Sequence, residues 1–261
     1  MIYDLQKGSL LKRASAILLD GILLVILITG FAFALSGIFH YGTYADIYAQ
    51  GMDRYAAQYN VDFDRIVTEA DYEALTEQEK ENYGAVIDAM NNDAELIHAL
   101  NMIVALIVLI ASISTVLAFA VVDFILPLIF KNGQTVGKKI FGLAVMRTNG
   151  VRISGVSLFI RTFLGKCIIE TMIPLLVVMM IFFSVMGIMA GIGLFGPILV
   201  IALLIVQIIM LFVTKNHTMI HDLISDCVVV DMSSQMIFDS EQARNEYIAE
   251  QDAREAASSP Y

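Results

Sequence analysis

The chain has 261 residues, 58% of them hydrophobic and 16% charged, and a mean hydropathy of +0.74; a single soluble domain, with an apolar share of about 45 to 50%, is excluded. With 16 Lys+Arg against 26 Asp+Glu the net charge is −10, and no nucleic-acid partner is expected, because a phosphate backbone demands clustered excess cation. Two cysteines, no tryptophan and 17 glycines also exclude a disulfide framework and a collagen-like chain, leaving a small multi-pass protein in contact with the lipid bilayer.

A helix crosses a hydrocarbon core of roughly 30 Å with about 20 apolar residues. The first such run covers residues 14–39 and follows Lys7, Lys12 and Arg13. Ala32 and Ala34 imitate a signal cleavage site, but the run is longer than the roughly 7 to 15 residues of a signal core and contains Asp20, so it is expected to stay in place. Residues 1–39 are thus a cytoplasmic N-terminus and a first transmembrane helix.

Residues 40–96 read as an acidic extracytoplasmic insertion. Within it Thr76 and Glu79 have the form of a capping box behind Leu75, opening a helix through Tyr83, Val86, Ile87 and Met90. Asn91 and Asn92 then break it, and Asp93 caps a helix entering the membrane. A solvated helical cap is the plain expectation for this segment; an acidic surface that gathers cations or docks a basic partner is the other. The second transmembrane helix is expected over 97–130.

The segment 131–166 is basic: Lys131, Lys138, Lys139, Arg147, Arg152, Arg161 and Lys166, with no acidic residue. Positive loops stay inside, so it is expected to be cytoplasmic, together with both termini; Lys215 after the last apolar run fits the same side. Its string K-N-G-Q-T-V-G-K-K at 131–139 is one residue short of a phosphate-binding loop and has Lys139 where Ser or Thr belongs. The spacing predicts a β-hairpin from 143–148, Asn149-Gly150 as a type I′ turn, and 151–153, with 227–230 as a third short strand.

Residues 167–213 are expected to form a third and a fourth helix, because the apolar stretch is too long for one crossing and Gly191, Gly193, Gly196 and Pro197 interrupt it. Residues 214–261 supply the cytoplasmic strand and an acidic tail whose segment 241–257 is a frayed helix or disordered. The fold class is therefore an all-α membrane protein with four transmembrane helices, a helical outer insertion and a small cytoplasmic β-hairpin.

Arg13 with Asp20, the run G-Q-T-V-G-K-K-I-F-G-L-A-V at 133–145, Arg161, and H-D-L-I-S-D-C-V-V-V at 221–230 together resemble the RDD family of integral membrane proteins. The resemblance covers about 10–39 and 100–230. It implies that Arg13, Asp20 and Asp222 are the arginine and the two aspartates that name the family, Asp123 being the other candidate for the third, and that Gly133, Gln134, Thr135, Gly137, Lys138 and His221 form a cytoplasmic motif. The long outer insertion and the pair Asp226-Cys227 depart from the family pattern. A membrane role is implied, with cation/proton exchange proposed for some members.

The residues themselves support a polar layer. Asp20 lies seven residues, almost two turns, beyond Arg13 and thus about 10 Å deeper on the same face. Arg13 can snorkel; Asp20 cannot, and should face the bundle because a centred carboxylate costs about 2.5 to 3.5 kcal/mol. Asp123, Glu170 and Gln207 fall at similar depth below Lys131, Lys166 and Lys215, so Asp20, Asp123, Glu170 and Gln207 are the candidate ion or proton site. The opposing interpretation is a lock, with Lys166 beside Glu170 at i,i+4 and Arg13 or Arg161 neutralising Asp20 or Asp123.

No metal site and no cofactor are expected. His217 and His221 stand i,i+4 beside Asp222 and Asp226 but lack a third spaced ligand, and His40 and His98 are plain helix-end residues. Cys167 and Cys227 should be free thiols. Ser112, Ser114 and Thr115 are packing residues rather than nucleophiles, so the chain is not expected to be an enzyme. Two functions stay open. One is a cation/proton exchange or permeation element with a cation substrate, expected as a homodimer because four helices are few for a transporter. The other is a non-transporting scaffold that recruits a partner through the outer insertion or the hairpin.

Overall fold

The computed structural model describes residues 6–66, 68–186, 195–214 and 218–258. In chain order it contains α1 (Leu10–Ile38), α2 (Tyr41–Tyr59), α3 (Glu69–Glu73), α4 (Glu77–Asn91), α5 (Ala94–Phe119), α6 (Leu126–Phe130), α7 (Val136–Ile140), β1 (Leu143–Arg147), α8 (Gly155–Phe159), α9 (Ile173–Val185), α10 (Phe195–Val213), α11 (Ile220–Ile224), β2 (Cys227–Asp231) and α12 (Glu241–Ser258). A π-helical segment, Ala120–Ile125, joins α5 to α6, and a longer one, Ile160–Met172, joins α8 to α9. Among the described residues, three continuous helices are long and apolar enough to cross a membrane, Leu10–Ile38, Ala94–Phe130 and Gly155–Val185, and α10 carries a shorter apolar core.

The third of these starts at Gly155 rather than near Cys167. Ser154 supplies the reason: its hydroxyl accepts the Ser157 amide at 3.1 Å and caps the helix. Arg161 and Lys166 therefore sit on a membrane helix instead of in the preceding loop. Gly191 and Gly193, expected at the turn before α10, lie outside the described residues, as does Lys215.

Two compact units make up the chain, residues 30–111 and the remainder. In the first, α2 and α4 pack around Val86, Met90 and Leu96, with Tyr48, Met52, Tyr55, Tyr59 and Phe63 against them. Gly51 permits this closeness, since a Cβ there would lie 2.8 Å from Leu96. The capping box at Thr76 and Glu79 is present, and Thr68 with Asp71 forms a second one. Asp93 caps α5 through the amides of Glu95 and Leu96 at 2.9 and 3.2 Å, and also accepts from Arg54 and Tyr55.

In the second unit, β1 pairs antiparallel with β2, from Leu143 opposite Asp231 to Arg147 opposite Cys227. The expected hairpin is thus corrected. Of Asn149 and Gly150 only Gly150 has positive φ (84°), so the turn is not type I′. Residues 151–153 meet the Ser154 cap at once, and Val151 and Arg152 form only single bridges, to Phe238 and Met146. The far edge of β2 takes the N-terminal segment: the Asp231 amide donates to the Gln6 carbonyl at 2.9 Å, and Lys7 bridges to Val230.

Side chains alternate across this sheet as the pleat requires. Leu143, Val145, Cys227 and Val229 pack with Ala16 of α1, while Ala144, Met146, Val228 and Val230 take Ile237 on the opposite face. The tail is helical over Glu241–Ser258.

Candidate functional site

The sequence sets two prolines just beyond two carboxylates: Pro127 is four residues after Asp123, and Pro174 four after Glu170. Proline has no amide hydrogen to give the carbonyl four residues back, so the helix widens ahead of each. Leu126 and Ile173 donate five residues back, to Val121 and Ile168, which is the π pattern. The Asp123 carbonyl is left for another donor, and the Thr162 hydroxyl takes it at 2.7 Å.

Asp20 is held by the cytoplasmic motif. Its Oδ2 accepts the Thr135 hydroxyl at 2.5 Å and its Oδ1 the Gly137 amide at 2.8 Å, with Lys138 Nζ 3.8 Å from Oδ2. Thr135 also caps α7 and accepts from Lys138 Nζ at 3.2 Å. Glycine is required at 137, where a Cβ would lie 2.3 Å from the Ala16 carbonyl oxygen. Upstream, Gln134 donates to the Leu143 carbonyl at 2.8 Å, and Gly133 turns the chain at φ 61° beside Val145.

Asp222 receives Arg161 through Nε and Nη2 at 2.9 and 2.7 Å, and Arg13 stands 3.7 Å from its other oxygen. Burial alone would raise this carboxyl, but His221, Arg161 and Arg13 outweigh it and hold it below the usual carboxylate range. Glu170 accepts the His221 amide at 3.0 Å and faces its Nδ1 at 2.7 Å. Burial, the largest influence, pulls the His221 imidazole below its ordinary value even though Asp222 and Glu170 oppose the shift. A Cβ at Gly165 would lie 2.5 Å from His221, so α11 rests directly on the third membrane helix. Lys166 pairs with Asp123 Oδ1, whereas Asp123 Oδ2, fully buried, has no hydrogen-bond partner among the described residues.

These groups converge on one cavity of about 180 Å³, walled by Asp20, Asp123, Glu170 and Asp222 with Arg13, Lys138, Arg161 and Lys166, and closed by Leu143 and Val229 of the sheet. Three of the four members of the expected layer therefore meet; Gln207 is half-buried on α10 and off this wall. The pairings are not those spacing suggested. Lys166 reaches Asp123 rather than Glu170, and Arg13 and Arg161 both serve Asp222 rather than Asp20 or Asp123. Cys167 and Cys227 are free thiols. His217 lies outside the described residues; among those described, no group of three or more His, Cys, Asp or Glu could hold a metal ion.

Lys138 lies outside the apolar spans, and its ammonium is lowered from 10.5 to about 7, by burial first, then by Lys166 and Arg161, against the pull of Asp123 and Asp20. Between those two values the unfolded chain binds the extra proton, so stability gains from rising pH, by at most about 1.4 kcal/mol per unit. Below pH 7 the penalty is fully present. The unfolding free energy of the wild type relative to Lys138→Gln should therefore climb between pH 7 and 10, and a flat difference would show that Lys138 keeps its ordinary proton affinity.

Neither a curated protein nor a solved structure matches the chain. The family model of the RDD family matches residues 7–226, the span that contains Arg13, Asp20, the Gly133–Lys138 motif, Arg161 and Asp222, and the chain belongs to that family.

Proposed function

We propose that this protein exchanges a cation for a proton across a cell membrane, with Asp123 as the exchanging carboxylate and four helices crossing the bilayer. The observation that carries this reading is Asp123 Oδ2, a buried carboxylate oxygen that has no donor among the described residues, on the wall of a charged cavity. A cation or proton can be accepted there with no existing bond to break. Asp20 differs, since both its oxygens are engaged by α7 and its hydroxyl cap. The four carboxylates on the wall stand with Arg13, Arg161, Lys166 and the readily deprotonated Lys138, so taking in a further cation is favoured when a positive charge or proton leaves, which is the requirement of exchange.

The crossing count rests on parity. Residues 6–8, β1 and β2 share one sheet, so they lie on one side of the bilayer. Two apolar helices separate residue 8 from β1, and the third membrane helix with α10 separates β1 from β2. The basic residues around this sheet favour the cytoplasmic side for it and for both termini. A homodimer and a non-enzymatic role complete the reading.

Cation-dependent proton flux in proteoliposomes tests it. Wild-type protein should acidify or alkalinise the lumen on addition of an alkali cation, and Asp123→Asn should lose that flux, because an amide neither takes up nor releases the exchanged proton. Absence of flux from folded wild-type protein would overturn exchange and leave the scaffold role, in which the outer insertion or the sheet recruits a partner.

A further inference from the structure

The family match ends at residue 226, yet the chain continues through β2 into a segment that returns to the sheet. The Phe238 carbonyl accepts the Arg152 amide at 2.8 Å, and the Phe238 amide donates to the Gly150 carbonyl at 3.1 Å. Arg152 pairs with Asp239 at 2.8 Å. From α12, Arg244 donates to the Asn149 carbonyl at 2.6 Å, and Glu241 accepts from the Asn149 amide group at 2.8 Å.

The contact is polar and wet, with two exposed ion pairs among its hydrogen bonds. Arg147 and Arg152 are 38% and 42% exposed, Glu241 and Asp239 61% and 75%. Its apolar part is small: Phe238 against Tyr247 at 5.5 Å between ring centres, and Ile237 on the face formed by Ala144, Met146, Val228 and Val230. Exposed pairs of this kind are individually weak and fade as salt shortens the screening length from about 8 Å at physiological ionic strength to about 3 Å at 1 M.

We propose that residues 238–258 form an ionic strap over the Asn149–Gly150 turn, released by rising ionic strength, which reports that strength to the cavity through the sheet. Arg147 is the shared element. It stands 3.8 Å from Glu241 and 3.7 Å from Asp226, and Asp226, four residues after Asp222, lies in the turn between α11 and β2. Release of Glu241 leaves Arg147 to Asp226 alone. The opposite face of the same two strands supplies Leu143 and Val229 to the cavity wall, so a change in sheet packing is felt at Asp20 and Asp222 without any contact from the tail itself.

The chain contains no tryptophan, so Tyr247→Trp in the full-length protein in nanodiscs gives a single reporter at the strap. Emission should shift to longer wavelength as choline chloride or potassium chloride is raised from about 0.05 to about 1 M, equally for both salts, and not with sucrose at equal osmolality. Arg152→Asp should bring the midpoint to roughly threefold lower salt, and the swapped pair Arg152→Asp with Asp239→Arg should restore it. Hydrogen exchange on the unsubstituted chain is the second measurement: protection at the amides of Arg152 and Phe238 should fall severalfold across the same range. Amides that stay protected at 1 M salt, or a midpoint indifferent to Arg152→Asp, would overturn the strap. Neither readout requires flux, so the strap and cation/proton exchange stand or fall separately.

Discussion

Asp222→Asn should cost the fold about 3 to 5 kcal/mol, the range found when one partner of a buried ion pair is removed. The substitution keeps the volume but leaves two buried guanidiniums, Arg13 and Arg161, without the carboxylate that both face. Chemical unfolding in detergent would measure it. Adding Arg161→Met should recover part of the loss, because it removes the guanidinium that donates to the lost carboxylate through two nitrogens. Should Asp222→Asn unfold like the wild type, the pair would be a wet contact rather than the lock between α1, the third membrane helix and α11 that its burial describes.

Gly137→Ala should be nearly as damaging although it adds a single methyl group. The new Cβ would lie 2.3 Å from the Ala16 carbonyl oxygen and 2.9 Å from Asp20 Oδ1, and the first of these is helix backbone that cannot yield. Overpacking costs about 1 to 3 kcal/mol; forcing α7 away also takes the Gly137 amide from Asp20, worth about 1.5 to 3 kcal/mol for a bond to a charged group. Gly84→Ala on α4 is the contrasting case. Nothing lies within 4 Å of its Cβ position, and the better helix former should stabilise by about 0.4 to 1 kcal/mol. Equal effects at the two positions would refute the clamp.

Much of the local structure is readable from the residues alone, because local signals have local causes. Thr76 and Glu79 specify their own box, Asp93 its own cap, and the apolar runs their own helices. The partners of the site are not readable that way. Spacing along α1 says which face Asp20 occupies but not that its donor lies 115 residues away on Thr135. The same limit misdirected Lys166, whose i,i+4 neighbour Glu170 is close in sequence while Asp123 is close in space. Asn149-Gly150 misled for a different reason: the dipeptide suits a two-residue turn, but Ser154 draws the chain into a helix before the second strand can pair beyond the single bridge of Arg152 to Met146. One signal was present and carried more than spacing. A proline four residues beyond Asp123 and another beyond Glu170 mark where carbonyls lose their donors and helices widen, and this is where the membrane carboxylates of the third and second helices face the cavity.

The sheet also fixes when this protein can become itself. Residues 6–8 are made before the apolar helices named above, yet their strand partner is Val229 to Asp231, which emerges only after those helices have been synthesised. Closing so long a loop is slow relative to helix formation. The helices can therefore enter the bilayer one after another as they leave the ribosome, but the chamber floor made by Leu143 and Val229 is laid last, in one step that recruits both ends of the chain. A nascent chain halted before residue 227 would hold its membrane helices and the partners of Asp20 and Arg13, yet lack the Val229 half of the chamber floor.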